Sequence, residues 1–293
     1  MSLHELLNFE GQIHVADVGA ATTAEVPPYR PLMQQGIGRL SAFDGDDRHR
    51  DEMIRYYGPT TKVYTSVIAD GKDHILYLAA PASGMASILR PSAQNLAFFN
   101  GFAGYSNVER EVPVSTIRLQ DVEGLDPIDY LKMDIQGAEL MVLEHAGPVL
   151  DQCVFIQLEA SFIALYEGQP VLGDIDQWMR SQGFHPHRFM DVKRWSIAPT
   201  RANKDYRVPF NQLLECDIVY VRGLVSLAGL TDDQLRKIAL IAALCYYSPD
   251  LCIHAIKELE RRGLFPAEEL AKALSFCPLQ APPPAMAAAP PAP

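Results

Sequence analysis

Short apolar runs alternate along this chain with segments of helical periodicity, and this alternation restricts the fold more than any other feature of the sequence. Such a pattern is typical of βαβ units, in which helices cover both faces of a mostly parallel sheet. We therefore predict an α/β fold. The predicted strands cover residues 13–18, 39–43, 61–68, 128–135, 154–159, 184–189 and 214–221, and the predicted helices cover residues 48–57, 139–150 and 173–182.

Two segments depart from the alternating pattern. Residues 73–114 have hairpin character and form either a lid over the substrate or a simple insertion. After Gly223, a capping box formed by Thr231 and Gln234 begins a helix that is apolar on almost every side, and further helical segments follow. Such a helix must be buried against the main domain, against its neighbouring helices or against a second subunit.

These patterns divide the chain into three predicted parts. They are a main domain over residues 1–223, a C-terminal helical appendage over residues 224–277 and a tail over residues 278–293. The last sixteen residues contain seven prolines and six alanines, which predicts disorder. If a second subunit covers the apolar helix of the appendage, the protein is a homo-oligomer.

Charge and cysteine content argue against several classes of protein. With 36 acidic and 25 basic residues, the net charge is −11, and the absence of a basic stripe disfavours a nucleic-acid partner. The five cysteines form no CxxC pair, so we predict neither disulfides nor a metal site. The N-terminus has no signal-peptide pattern, and the longest apolar run, residues 238–247, is too short to span a bilayer. We therefore expect a cytoplasmic protein without a membrane span.

Acidic residues and a glycine follow the first two predicted strands, where doubly wound sheets bind nucleotides. Gly19 lets the backbone approach a ligand, and the Asp44 carboxylate is placed to accept hydrogen bonds from both hydroxyls of a ribose. The GxGxxG run that binds a pyrophosphate is absent, which favours S-adenosylmethionine over NAD. We assign Asp17, Gly19, Ala20, Asp44 and Asp70 to the cofactor-binding set.

Charged residues also lie on two central strands. Lys132 and Asp134 share one face of the strand over residues 128–135, and Glu159 ends the next strand. If these strands are neighbours, the three side chains converge at the carboxyl edge of the sheet. Charged groups on a central strand are costly unless they are paired or functional. They form either a catalytic cluster or a buried ion pair without a role in chemistry.

The same segment carries a resemblance to a known family. Residues 131–140, LKMDIQGAEL, resemble the L-K-I-D-V-E-G-A-E signature of the FkbM-type methyltransferases. Residues 17–20 match the D-V-G-A motif of that family, and residues 43–44 stand where the family has F-E. The resemblance extends over residues 13–222. This chain departs from the family pattern in the cofactor loop, at Ala21 and Thr23. It also has Gln136 where the family usually has glutamate, whereas Glu139 is kept.

The resemblance implies a Rossmann-like class I methyltransferase sheet, with S-adenosylmethionine as the cofactor. It also implies transfer of a methyl group to a hydroxyl, often that of a sugar, so we expect a glycan or another small molecule as the acceptor. Glu159 is our first choice for the base that removes the hydroxyl proton and Asp134 the second, with Lys132 holding their charge and orientation.

Two alternatives stay open. Asp134 and Glu159 could bind a divalent cation that assists the reaction. The chain could also be a catalytically inactive methyltransferase-like protein that binds a partner through its helical appendage. Tyr29, Tyr166 and Trp195 either line a sugar pocket or pack in the core.

Overall fold

The computed structural model describes residues 1–20, 26–45, 50–58, 60–79, 84–105, 107–202, 205 and 208–277. Two sequence predictions lie outside these residues, namely the altered cofactor loop at Ala21 and Thr23 and the disordered tail over residues 278–293. Within the described part of the chain, no helix is long and apolar enough to cross a membrane.

The described residues form nine strands and ten α-helices. The strands are β1 (Ile13–Val18), β2 (Gly38–Phe43), β3 (Lys62–Tyr64), β4 (Asp73–Leu78), β5 (Arg110–Ser115), β6 (Tyr130–Met133), β7 (Phe155–Ser161), β8 (Phe184–Trp195) and β9 (Gln212–Arg222). The helices are α1 (Leu3–Leu6), α2 (Arg30–Gln34), α3 (Arg50–Tyr57), α4 (Ala93–Phe98), α5 (Phe102–Tyr105), α6 (Glu139–Glu144), α7 (Leu172–Ser181), α8 (Asp232–Cys245), α9 (Pro249–Arg261) and α10 (Leu270–Ser275).

Seven strands form one sheet in the order β3-β2-β1-β6-β7-β9-β8. The first five of these are parallel, whereas β9 runs antiparallel to both of its neighbours. Counted within the sheet, the order is 3-2-1-4-5-7-6, which is the arrangement of the Rossmann-like class I methyltransferase fold. The predicted fold class is therefore confirmed.

The strand order reverses between β1 and β6, because the chain builds β2 and β3 on one side of β1 and then returns to the other side. In open α/β sheets, ligands bind at the carboxyl ends of the strands at such a switch point. All six residues of β1 are buried, so this strand is a rigid support for the loop that follows it. The topology therefore predicts a ligand site at the loops after β1, β2, β6 and β7.

Several predicted strands differ in length from those in the structure: β6 has four residues where eight are predicted, β9 has eleven where eight are predicted, and β3 and β8 differ most. β3 is shorter than the predicted segment, and β8 is twice as long as predicted because it pairs with β9 as far as Trp195. β8 lies at the edge of the sheet, where its second half carries exposed apolar residues such as Met190 and Val192. Local periodicity does not reveal this length, because the partner strand supplies the hydrogen bonds.

The C-terminal helices pack directly on the sheet. Residues of α8 and α9 share one hydrophobic core with residues of β1, β2, β6, β7 and β9. The ring of Tyr246 stacks on that of Phe155 at 5.4 Å, and the Lys237 ammonium donates to the Asp129 carboxylate at 2.9 Å. α2 and α3 have only five and eight residues, so the C-terminal helices complete the layer on this face. A homo-oligomer built through this appendage stays a prediction.

The segment over residues 73–114 forms a small unit beside the main sheet. β4 and β5 pair with each other in a separate two-stranded antiparallel sheet, and α4 and α5 lie between them in the chain. The Ser87 hydroxyl donates to the backbone oxygen of Gln136 at 2.8 Å, and Pro91 forms a β-bridge with Tyr166. The unit therefore borders the loop after β6, at the carboxyl edge of the main sheet.

Candidate active site

The chain turns tightly at Gly19 and Ala20, directly after β1 and against the end of β6. Gly19 has a φ of +87°, and the backbone N–H groups of Gly19 and Ala20 both donate to the Phe43 oxygen at 2.9 Å. A Cβ atom at Gly19 would lie 1.9 Å from the backbone oxygen of Asp134. Only glycine can adopt this conformation so close to the Asp134 backbone, so the turn requires glycine at position 19.

Asp17 lies beneath this loop and already has two partners. Its carboxylate accepts a hydrogen bond from the Tyr29 hydroxyl at 2.6 Å and another from the Lys132 ammonium at 3.2 Å. Burial lowers the pKa of Lys132, but the charges of Asp17 and Asp134 and the hydrogen bond to Asp17 together outweigh burial and raise it. Lys132 therefore pairs with Asp17, because the two residues are direct neighbours across β1 and β6. A contact between Asp17 and the cofactor stays a prediction.

Asp44 follows β2 at the same edge of the sheet as Gly19. Its backbone N–H donates to the Tyr64 oxygen at 3.1 Å, and its side chain is half-buried. The ring of Phe43, the preceding residue, stacks on that of Tyr64 at 4.6 Å. Asp44 is thus held by two neighbouring strands at the position where nucleotide-binding sheets contact a ribose.

Asp70 lies at the base of the β4–β5 unit. Its carboxylate accepts hydrogen bonds from His74 and from the backbone of Lys72, and it forms an ion pair with the Lys72 ammonium at 3.0 Å. Burial raises the pKa of Asp70, but the hydrogen bonds from His74 and Lys72 together outweigh it and hold the pKa below its usual range. These contacts show that Asp70 stabilises the base of the β4–β5 unit. Its assignment to the cofactor site stays a prediction.

Two carboxylates converge at the ends of β6 and β7. Asp134 follows β6 and is exposed, whereas Glu159 lies within β7 and is 8% exposed. The side-chain nitrogen of Gln136 donates to both, at 3.1 Å to Asp134 and at 3.0 Å to Glu159. The Tyr166 hydroxyl donates to the side-chain oxygen of Gln136 at 2.9 Å. The convergence predicted for these carboxylates is therefore present, and Gln136 joins them.

The partner of Glu159 differs from the one expected. Lys132 was expected to hold both carboxylates, but the cation on Glu159 is Lys193, whose ammonium lies 3.1 Å from Glu159 and 2.7 Å from Glu215. Burial raises the pKa of Glu159, and the charges of Asp134 and Glu215 add to this effect, whereas Lys193 opposes it. Sequence reasoning missed Lys193 because it lies on β8, which reaches Glu159 only through the pairing with β9.

Comparison with known proteins decides the family. The sequence matches the family described as the methyltransferase FkbM domain over residues 24–186, which is more than half of the chain. The chain belongs to this family. The match includes the loops after β2, β6 and β7, and it therefore covers Asp44, Asp134, Gln136 and Glu159.

The solved structures that resemble this FkbM-family methyltransferase are more distant in sequence. Magnesium protoporphyrin IX methyltransferase (ChlM) from Synechocystis PCC 6803, solved with bound SAM, is 12% identical with a TM-score of 0.36, and the alignment covers 75% of this chain and 76% of that one. TrmK from M. capricolum, solved with S-adenosyl-homocysteine, is 10% identical with a TM-score of 0.33, and the coverage is 94% and 97%. No curated protein matches the sequence.

Glu139, which this methyltransferase shares with the family signature, stabilises the loop after β6. One of its oxygens accepts hydrogen bonds from the backbone N–H groups of Ile135 at 3.0 Å and Gly137 at 3.3 Å. Burial raises the pKa of Glu139 to about 7, although these hydrogen bonds favour the charged form. Glu139 therefore holds the loop that carries Asp134 and Gln136, and its charge state depends on pH near neutrality.

We expect the substitution Glu139→Gln to remove a pH dependence of stability. Because the pKa is raised in the folded state, the stability that Glu139 contributes is fully present below about pH 4.5 and is lost as the pH rises through about 7. Between these limits, the free energy of unfolding of the wild type should fall by about 3 kcal/mol relative to the variant. Urea unfolding at pH 4.5, 6 and 8 measures this difference. The exposed Glu144, changed to Gln, is the control, and equal pH profiles for wild type and Glu139→Gln would refute the prediction.

Other residues considered from the sequence have structural partners. Tyr29 and Tyr166 are buried in the core. Trp195 is partly buried, packs against the cluster that contains Tyr166, and donates its indole N–H to the Asn100 oxygen at 2.7 Å. Among the described residues, no group of three or more His, Cys, Asp or Glu side chains is arranged to hold a metal ion. The N–H groups of Gln136 face Asp134 and Glu159, in the position that a cation bridging the two carboxylates would take.

Proposed function

We propose that this methyltransferase transfers a methyl group from S-adenosylmethionine to a hydroxyl group of a carbohydrate or another small acceptor. The observation that carries the proposal is the convergence of Asp134 and Glu159 at the switch point of the sheet, beside the loop that Gly19 forms. A hydroxyl group needs a base close to the methyl donor, and carboxylates at this edge can supply one.

The residues at the edge fit a nucleoside cofactor. Gly19 carries no side chain at the turn, and Asp44 presents a carboxylate that can accept two ribose hydroxyls in parallel. When bound, S-adenosylmethionine supplies a methyl group on a positively charged sulfur, which is already a strong electrophile. The main task of the protein is then to align the acceptor oxygen with this methyl group, and positioning alone can supply several kcal/mol.

The substitution Asp44→Ala should weaken cofactor binding. Loss of a charge-assisted, bidentate contact costs about 1.5–3 kcal/mol, so the Kd for S-adenosylhomocysteine should rise roughly ten- to a hundredfold. Isothermal titration calorimetry measures this Kd, with NAD as a ligand that should not bind. Asp151→Ala is the matched control, because Asp151 is exposed and precedes β7 at the opposite edge of the sheet. A folded Asp44→Ala protein with wild-type affinity would remove Asp44 from the cofactor site.

The base must reach the acceptor as well as the proton. Asp134 is exposed, whereas both oxygens of Glu159 accept hydrogen bonds, from Gln136 and from Lys193. We therefore place Asp134 against the acceptor, where its carboxylate takes the hydroxyl proton as the acceptor oxygen bonds to the methyl group. Glu159 shares the Gln136 amide with Asp134. Sequence reasoning ranked these two residues in the opposite order.

The substitutions Asp134→Asn and Glu159→Gln should each slow methyl transfer. Loss of a positioned base reduces a rate by roughly 10²–10⁴-fold, so we expect a single-turnover rate at least about tenfold lower for Asp134→Asn and a smaller fall for Glu159→Gln. A panel of nucleotide sugars and glycans with labelled S-adenosylmethionine provides the assay, and Glu144→Gln is the control. Wild-type rates in both variants would show that neither carboxylate acts in catalysis.

A further inference from the structure

Gln136 occupies a strained position in the loop after β6. Its φ is +57°, in the left-handed region that residues other than glycine rarely adopt, and Gly137 follows with a φ of +102°. Such a conformation is unfavourable for a residue with a side chain, and it persists where the surroundings enforce it. Here the Ser87 hydroxyl holds the Gln136 backbone oxygen, which directs the side chain across the ends of β6 and β7.

The amide of Gln136 has a partner at each end. Its nitrogen donates hydrogen bonds to Asp134 and to Glu159, and its oxygen accepts a hydrogen bond from the Tyr166 hydroxyl. A flipped amide would bring its oxygen against two carboxylates, so the Tyr166 hydroxyl and the carboxylates together define one orientation. Tyr166 is only 2% exposed, which keeps its hydroxyl in place.

We propose that Gln136 is a positioning residue for proton removal, whose neutral amide holds the Asp134 and Glu159 carboxylates in one arrangement with Asp134 facing the acceptor. The inference rests on the proposed function, because it assigns the proton to Asp134. The family signature has glutamate at this position, and a glutamate here would place a third carboxylate against the other two. With glutamine at this position, this contact has only two carboxylates that can bind or release a proton, Asp134 and Glu159.

Several other charged or titratable groups surround the carboxylate pair and contribute to its electrostatics. Lys193 of β8 and Glu215 of β9 lie on the Glu159 side, and Glu139 of α6 lies under the loop. Lys132 of β6 lies toward Asp17. Since none of these groups donates to both carboxylates, Gln136 is the group whose replacement should alter both titrations together.

The test is a carboxyl titration by carbon-13 NMR of the full-length protein, which requires no acceptor. For Gln136→Glu we expect the higher of the two carboxyl pKa values of Asp134 and Glu159 to rise by at least about one unit, because like charges raise each other's pKa. Gln136→Met keeps the length but removes both donors, so a smaller rise is expected. Gln182→Glu adds a charge at an exposed site after α7 and should leave both titrations unchanged.

If the Gln136 variants do not fold, the Tyr166→Phe variant is the test, because it removes only the hydroxyl that orients the amide. We expect the higher of the two carboxyl pKa values to rise in this variant as well. Titrations within about 0.3 units of wild type in every folded variant would overturn the proposal. In the methyl-transfer assay, Gln136→Glu should move the acidic limb of the pH–rate profile to higher pH. The Kd for S-adenosylhomocysteine should change less than about twofold. A wild type that binds no S-adenosylhomocysteine would refute the proposed function, while the titration still tests the role of Gln136.

Discussion

Removal of residues 224–293 should abolish stable folding of the remaining chain. Nine of the fourteen residues of α8 are buried, and five residues of α9 are buried as well. They include seven leucines and isoleucines, each worth about 1.5–3 kcal/mol when fully buried. Their sum, roughly 10–20 kcal/mol, matches or exceeds the 5–15 kcal/mol by which native proteins are typically stable. We therefore expect aggregation or loss of the cooperative thermal transition.

Circular dichroism melting and light scattering after size-exclusion chromatography measure this outcome. A chain that ends at Cys277 is the control, because it retains α8, α9 and α10. The full-length mass from the same experiment tests the predicted homo-oligomer. A truncated protein that ends at Gly223, stays monodisperse and melts like the full-length chain would show that the C-terminal helices are not part of the folding unit.

The second large effect is expected for Gly19→Ala. The new Cβ would lie 1.9 Å from the Asp134 backbone oxygen, so either the loop after β1 or the end of β6 must move. The left-handed φ adds about 1–2 kcal/mol, and overpacking of this kind adds typically 1–3 kcal/mol or more. We expect a loss of about 2–5 kcal/mol in the free energy of unfolding and, in any protein that folds, much weaker binding of S-adenosylhomocysteine.

Gly36→Ala separates the two causes. Gly36 has a φ of +71°, but a Cβ there would meet no atom within 4 Å, so only the backbone penalty of about 1–2 kcal/mol applies. Urea unfolding of the two variants gives the difference, and calorimetry with S-adenosylhomocysteine gives the effect on binding. Equal losses of stability in Gly19→Ala and Gly36→Ala would mean that the close approach to β6 is unimportant.

Much of the site could be predicted because its residues belong to local patterns. Gly19 and Asp44 follow strands that are apolar enough to be recognised singly, and Asp134 lies in a family signature. Two parallel neighbouring strands bring their carboxyl ends together, which explains why the meeting of Asp134 with Glu159 was predicted. The cation beside Glu159 could not be predicted, because Lys193 reaches it from an edge strand whose position depends on β9.

The sequence by itself determined the seven strands of the main sheet, the α/β class and the family, because hydrophobic periodicity and a contiguous signature are local properties of the chain. Only the tertiary structure decided which polar groups pair. Lys132 pairs with Asp17 and Lys193 with Glu159, and the Gln136 amide donates to both Asp134 and Glu159. It also decided that α8 and α9 cover the sheet. The physical reason is that strand order and register bring together residues far apart in the chain, and no local pattern encodes those distances.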